Sequence, residues 1–230
     1  MSYDNGTQTL ESMSQAVWYN QWILNKFKKF LNGEILEVGC GIGNFTKTLV
    51  NYGKVWTIDI NSKYIEKVQE QIKGAVWSGY GDIEKGKYFF NNQKFDTIIC
   101  SNVLEHIKGD EKALKNLYYL LNKGGILVLL VPAHDFLFGE IDRSIGHYRR
   151  YNKERLSKQM TQIGFKIINE RILNMLGGIG WWFSSKLLGK TTVESSKVRL
   201  FNLVAPFILP FEDIVEPPIG TSILIVAQKP

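Results

Sequence analysis

The sequence predicts an α/β protein built on a doubly wound, mostly parallel sheet of seven strands. Three observations carry that expectation: seven short apolar runs, helical patterns between most of them, and a glycine-rich turn behind the first run. Near-continuous apolar strands alternating with amphipathic helices cover both faces of a parallel sheet. With 230 residues, 44% of them hydrophobic, a single domain over 1–230 with a sizeable core is expected.

The elements follow in order. Residues 9–31 read as one N-terminal amphipathic helix, with Leu10, Met13, Val17, Leu24, Phe27 and Leu31 near one face. A core over 34–173 comes next. "EILEVG" (34–39) is a strand, "NFTKTLVNY" (44–52) a helix ended by Gly53, and "KVWTIDI" (54–60) a second strand. "SKYIEKVQEQIK" (62–73) sets Ile65, Val68 and Ile72 at helical spacing, and "AVWSGY" (75–80) and "FDTIICS" (95–101) are strands three and four. Asp110 is expected to cap the helix "EKALKNLYYLLN", which "KGG" ends before the strand "ILVLLVP" (126–132). The helix "NKERLSKQMTQI" (152–163) stops at Gly164 and leads into the strand "FKIINERIL" (165–173). A helical insertion over 174–220 precedes an antiparallel last strand within 221–230.

Several function classes drop out on composition. No apolar run approaches the roughly 18 residues of a membrane span. The start, "MSYDNGTQTLESMSQ", lacks the basic-then-apolar layout of a signal peptide. Cys40 and Cys100 are the only cysteines and lack metal-ligand spacing, which suits a reducing cytoplasm. A net charge of +6 tolerates anionic partners without demanding them.

The most specific stretch is "ILEVGCGIGNF" (35–45). A dinucleotide fingerprint, G-x-G-x-x-G, fails in both registers, because its last slot falls on Asn44 or Thr46. What stands is acidic-x-G-x-G-x-G, formed by Glu37, Gly39, Gly41 and Gly43. Asp59 ends the second strand about twenty residues on, where an acid can accept from two ribose hydroxyls. A ligand with a ribose and no pyrophosphate fits that pattern.

At this point the sequence resembles the class I S-adenosylmethionine-dependent methyltransferases, over about 34–173 plus the final strand. "LEVGCGIGNF", "TIDIN", "GDIEK", "FDTIICSNVLEHI" and "LLNKGGILVLLVP" match the family's motifs in order. The resemblance implies a Rossmann-like fold and S-adenosylmethionine as cofactor. It implies a cofactor site of Glu37, Gly39, Cys40, Gly41 and Asn44 from the first motif, and Asp59 and Ile60 from the second. Gly81, Asp82 and Ile83 would meet the adenine, with Ile83 packed on its ring. Ser101, Asn102, Val103 and His106 would form the lip after the fourth strand.

Methyl transfer from a sulfonium needs an aligned acceptor, and a hydroxyl acceptor usually also needs a base. His106 and His147 are the catalytic candidates; His134, Arg143, Tyr148 and Arg149 are candidates for holding the acceptor. Arg150, Lys153 and Arg155 add to a basic group suited to phosphate or carboxylate, and Tyr151 is a second ring that could stack on a sugar. Some quinone-biosynthesis O-methyltransferases carry a Glu-x-x-Glu-His metal site here. Glu105 and His106 match, but Asn102 replaces the first acid, so no metal is expected. Nucleic acid is not expected as a substrate: "SNVL" lacks the Pro-Pro-aromatic signature of adenine methylation, and "VPAH" lacks the cytosine-attacking thiol.

The stretch "VPAHDFLFGEIDRSIGHYRRYNKERL" (131–156) resembles a bacterial subgroup associated with glycan or lipid-linked sugar biosynthesis. That implies O-methylation of a small-molecule, glycan or lipid-linked acceptor; a quinone or isoprenoid lipid, or a non-catalytic regulatory role, are alternatives. The insertion is expected to hold helices near 176–189, with Trp181, Trp182, Phe183, Leu187 and Leu188, and near 195–209. Paired tryptophans beside Lys186 and Lys190 suit a lid, a dimer contact or a peripheral membrane contact, in a monomer or homodimer.

Overall fold

In a computed structural model the chain is described over residues 2–187, 189–192 and 195–230. The strands are β1 (Glu34–Val38), β2 (Lys54–Asp59), β3 (Val76–Asp82), β4 (Lys87–Tyr88), β5 (Phe95–Ser101), β6 (Leu121–Pro132), β7 (Lys166–Leu173) and β8 (Ser222–Gln228). They form one sheet in the order β4-β3-β2-β1-β5-β6-β8-β7. The run from β3 through β6 is parallel, and β8 is antiparallel to both β6 and β7. Strand order reverses between β1 and β5, so a crevice opens at their adjoining carboxyl ends.

The sheet has eight strands rather than the expected seven. The extra one, β4, turns back antiparallel on the end of β3, pairing Gly81 with Tyr88 and Asp82 with Lys87. Its cause is aromatic: Tyr88, Phe89 and Phe90 pack with Trp56 and Phe95, and that burial holds the short return in place.

The helices also depart from expectation at their ends. The N-terminal segment forms α1 (Ser2–Ser14) and α2 (Val17–Phe27) instead of one helix. The break at Ala16 is held from both sides. Asn20 donates to the Met13 carbonyl at the end of α1, and the Asn202 side chain accepts from Trp18 N and Tyr19 N at the start of α2. Only Thr46–Leu49 is helical (α3) where 44–52 was expected. After α4 (Ser62–Gln71), α5 (Asp110–Leu120) takes Gly109 as its N-cap, and Asp110 lies inside the first turn. β6 begins at Leu121, ahead of the expected Ile126, because Leu121 already pairs with Phe95.

Next come α6 (Glu140–Ile145), α7 (Lys153–Ile163), α8 (Met175–Trp181) with a π-helical turn Trp182–Leu187, α9 (Ser195–Ile208) and α10 (Phe211–Ile214). Leu188 and the side chains of Lys186 and Leu187, expected on the first inserted helix, lie outside the described residues. Two apolar layers sandwich the sheet. Leu114 and Leu117 of α5 join Leu156 and Met160 of α7 on one face; Ile23 and Phe27 of α2, Leu49 of α3 and Ala205 of α9 cover the other. Among the described residues no helix is long and apolar enough to cross a membrane.

Candidate functional site

The turn after β1 must come close to the lip after β5, and glycine makes that possible. Gly39 has φ +72°, and a Cβ there would lie 2.3 Å from Val103 Cγ2. Gly41, at φ +50°, donates its N–H to Asp59 Oδ2 at 3.0 Å. The other carboxylate oxygen of Asp59 accepts from Asn61 N at 2.9 Å. Asp59 thus ties the β1 turn to the β2 turn. Desolvation raises its pKa, opposed by the N–H groups of Asn61, Gly41 and Ile60. A carboxylate offers about four acceptor positions, so capacity for ribose hydroxyls remains. Ile60 beside it is 71% exposed, an uncovered apolar side chain at a strand end.

Glu37 is buried and accepts from the Thr46 hydroxyl at 2.5 Å; burial pushes its pKa up to about 8. Asn44 donates to the Leu10 carbonyl, and Leu10 itself stands 3.3 Å from where a Cβ of Gly41 would be. The turn is therefore roofed by α1. The Cys40 and Cys100 thiols are buried, and desolvation pushes both up, so neither is a ready nucleophile at neutral pH.

At the end of β3, Asp82 accepts from Lys85 N at 2.9 Å and pairs with the Lys85 ammonium at 3.0 Å. Gly81 leaves room for Ile58, since a Cβ would fall 2.5 Å from it. Ile83 follows, its side chain buried within the apolar layer. After β5, Ser101 is followed by Asn102 at φ +52°, whose N–H donates to Leu130 O and turns the chain. Val103 lies over the glycine turn, and Glu105 and His106 come next in a 3₁₀ turn.

Here the segment after β6 completes the site. Helix α6 ends at Gly146 in the left-handed conformation, and the His147 N–H returns to the Asp142 carbonyl. That places His147 Nδ1 2.9 Å from Asp142 Oδ1 and Nε2 3.7 Å from Glu105 Oε1. The His106 and His147 rings meet edge to face at 4.6 Å, His106 on the exposed side. Burial pushes Glu105 up to about 7, with His147 acting in the opposite direction. Burial also works against ionisation of Asp142, but the His147 hydrogen bond and the Arg150 guanidinium outweigh it and keep its pKa low. Arg150 donates to Asp142 at 2.9 Å and to the Ala133 carbonyl, and is buried. Its guanidinium lies over the Trp181 ring, and Trp181 Nε1 donates to the second Asp142 oxygen at 3.2 Å.

The remaining expected residues divide. Tyr148 is exposed on the rim, with its N–H on the Glu105 carbonyl. His134, at φ +63°, stacks on Phe136 and accepts from Gly220 N at 3.4 Å. Arg143 is exposed, pairs with Glu140 and lies over Phe138. Arg149 is engaged by Asp110 at 2.6 Å and by the Lys108 carbonyl, Arg150 is interior, and Lys153 pairs with Glu216. Tyr151 is buried, with its hydroxyl on the Leu104 carbonyl and on Asp110; it is packing, not a sugar platform. The sequence reading passed over Asp142, and weighed Glu105 only as part of a metal motif that Asn102 breaks. The signal for Asp142 was its spacing from His147, on either side of a helix-ending glycine.

A cavity of about 330 Å³ between α2 and residues 43–48 is lined by Val17, Leu24 and Phe45, and none of the strand-end acids lines it. The family described as "Methyltransferase domain" matches residues 19–170, more than half of the chain and all of these strand ends up to the start of β7. The chain belongs to the methyltransferase domain family.

Nodulation protein S of Azorhizobium caulinodans is 29% identical over 157 residues, covering 64% of this chain and 67% of that protein. A hybrid PKS-NRPS synthetase, apdA, of Emericella nidulans is 31% identical over 112 residues, 44% of this chain. This chain spans only 3% of that synthetase's length. The crystal structure of the N-methyltransferase NodS from Bradyrhizobium japonicum WM9, in complex with S-adenosyl-l-homocysteine, superposes with a TM-score of 0.60 at 17% identity, covering 91% of this chain and 84% of that one. The matched family is one of methyltransferase domains, and the NodS structure holds S-adenosyl-l-homocysteine, the demethylated form of S-adenosylmethionine. The residues present fit S-adenosylmethionine: a glycine turn tied to the Asp59 carboxylate, acceptor capacity left on that carboxylate, and an uncovered Ile60 beside it.

Proposed function

We propose that this methyltransferase transfers the methyl group to a hydroxyl of a glycan or lipid-linked sugar, at the cytoplasmic face of a membrane. The bound S-adenosylmethionine supplies an activated methyl group; alignment and acceptor activation fall to the chain. Glu37, Gly39, Cys40, Gly41 and Asn44 hold the methionine end, Asp59 and Ile60 the ribose and adenine, and Gly81, Asp82 and the Ser101–Val103 lip close the site.

The observation that carries the hydroxyl reading is the cluster of Glu105, His106 and His147. A buried carboxylate and two imidazoles converge beside the cofactor turn, with His147 oriented by Asp142. Such a group activates a hydroxyl, which a thioether or an already neutral amine would not need. Tyr148 and Arg143 face the open rim and are placed to hold the acceptor. The lipid-linked reading is supported by α9 and α10, whose Leu200, Leu203, Phe207, Phe211 and Ile214 are exposed. A quinone or other isoprenoid lipid would suit the same face. The likeness to nodulation protein S and NodS favours, as a second reading, an amine on a comparable acceptor.

The test is turnover with candidate acceptors. Glu105→Gln and His147→Ala should each lower kcat by about 100-fold or more, with cofactor affinity nearly kept. Wild-type turnover in both would remove the cluster from the reaction and favour the amine reading.

A further inference from the structure

Among the described residues, Glu105, His106 and His147 bring one ligand atom each to within 4.8 Å of one another. Glu105 is 0% exposed, and neither of its carboxylate oxygens has a hydrogen-bond partner. A buried carboxylate left that way is strongly disfavoured, so something must face it. His147 Nε2 stands 3.7 Å from Glu105 Oε1, beyond hydrogen-bond reach.

The geometry of His147 sharpens the point. Asp142, held by Arg150 at 2.9 Å, hydrogen-bonds His147 Nδ1 at 2.9 Å and turns the other ring nitrogen toward the Glu105 oxygens. Carboxylate on the far nitrogen of a ring is also the arrangement that fixes a histidine for metal ligation.

We propose that Glu105, His106 and His147 bind a divalent first-row transition ion, with Asp142 orienting His147 from behind. Two imidazoles and one carboxylate suit zinc, cobalt, manganese or iron better than magnesium or calcium, and leave coordination positions open for an oxygen of the acceptor or for water. His106, on the exposed side, gives the ion its access path. The sequence expectation of no metal rested on Asn102 standing where a second acid would be; the third ligand comes instead from His147, forty-one residues after His106. The site shares its residues with the acceptor-activating cluster but does not depend on the identity of the acceptor, because ion binding is read without turnover.

The experiment titrates Co²⁺ into tag-free, chelator-treated full-length protein, following visible absorption and calorimetric heat, with Zn²⁺ and Mg²⁺ as competitors. Wild type should bind one Co²⁺, displaced by Zn²⁺ and not by Mg²⁺ at the same concentration. Glu105→Gln, nearly isosteric, should lose binding while keeping the wild-type circular dichroism. Asp142→Asn should weaken it by about 10–100-fold, as the loss of an orienting partner does. No Co²⁺ band in folded wild type, or a band unchanged in Glu105→Gln and His147→Ala, would overturn the site. Failure here leaves the methyl-transfer reading standing, since that is tested by kcat.

Discussion

Glu37 is buried at the end of β1, with the Thr46 hydroxyl as its hydrogen-bond donor and a pKa pushed up from 4.5 to about 8, chiefly by burial. The consequence for stability has a definite sign. Between those two values the folded chain holds a proton that the unfolded chain has released, so stability falls as pH rises through the window and levels off above it. The full effect is on the order of 5 kcal/mol. Glu37→Gln stays neutral at every pH, and its amide oxygen can still accept from Thr46. Urea unfolding of the cofactor-free protein should show the variant close to wild type near pH 5 and more stable near pH 8. Parallel curves for the two proteins would mean that Glu37 is ionised in the fold. At this scale the sequence was informative where spacing spoke, as for Glu37 and Asp59. Asp142 was missed because an acid in "GEIDRSIG" reads as an ordinary first-turn helix residue; only folding shows that it is fully interior.

Helix α9 has two faces with different tasks. Val198 and Ala205 are buried against α2, and Asn202 caps α2 from the same side. Leu203 and Phe207, at 70% and 75% exposure, face outward in line with Leu200. The paired tryptophans, by contrast, are divided. Trp181 donates to Asp142 and lies under Arg150, while Trp182 and Phe183 stay exposed. The insertion is thus bolted to α6 through Trp181, on Asp142, and Ser185, whose hydroxyl accepts from Ile141 N. Replacing Trp181 would disturb the site itself, so a membrane test belongs on α9. Leu203→Ser with Phe207→Ser should change unfolding stability by no more than about 0.5 kcal/mol per site. In flotation at low salt, wild type should rise with anionic vesicles and the double variant should remain below. Wild type remaining below as well would assign the apolar face to contact between subunits or to a lid. The ends of the helices were the least legible elements, because Asn20, Asn202 and Gly109 set them through contacts that no local pattern displays.

Across the whole molecule, the doubly wound order with its reversal between β1 and β5 follows from the alternation of apolar runs and helices, and was legible for that reason. The eighth strand was not, since two residues make no periodic signal and its support is remote: Phe89 stacks on Trp56 and Phe90 meets it edge-on. In the function proposed above, the strand ends divide the site into a cofactor half, around Asp59 and the glycine turn, and an acceptor half, around Glu105, His106 and His147. That division is the central claim, and calorimetric titration of S-adenosylmethionine into three proteins tests it most directly. Wild type should bind one equivalent. Asp59→Ala should lose about 1.5–3 kcal/mol of binding through its missing charge-assisted hydrogen bonds, and His147→Ala should bind within about threefold of wild type. Unchanged affinity in a folded Asp59→Ala, or loss of binding in a folded His147→Ala, would contradict it.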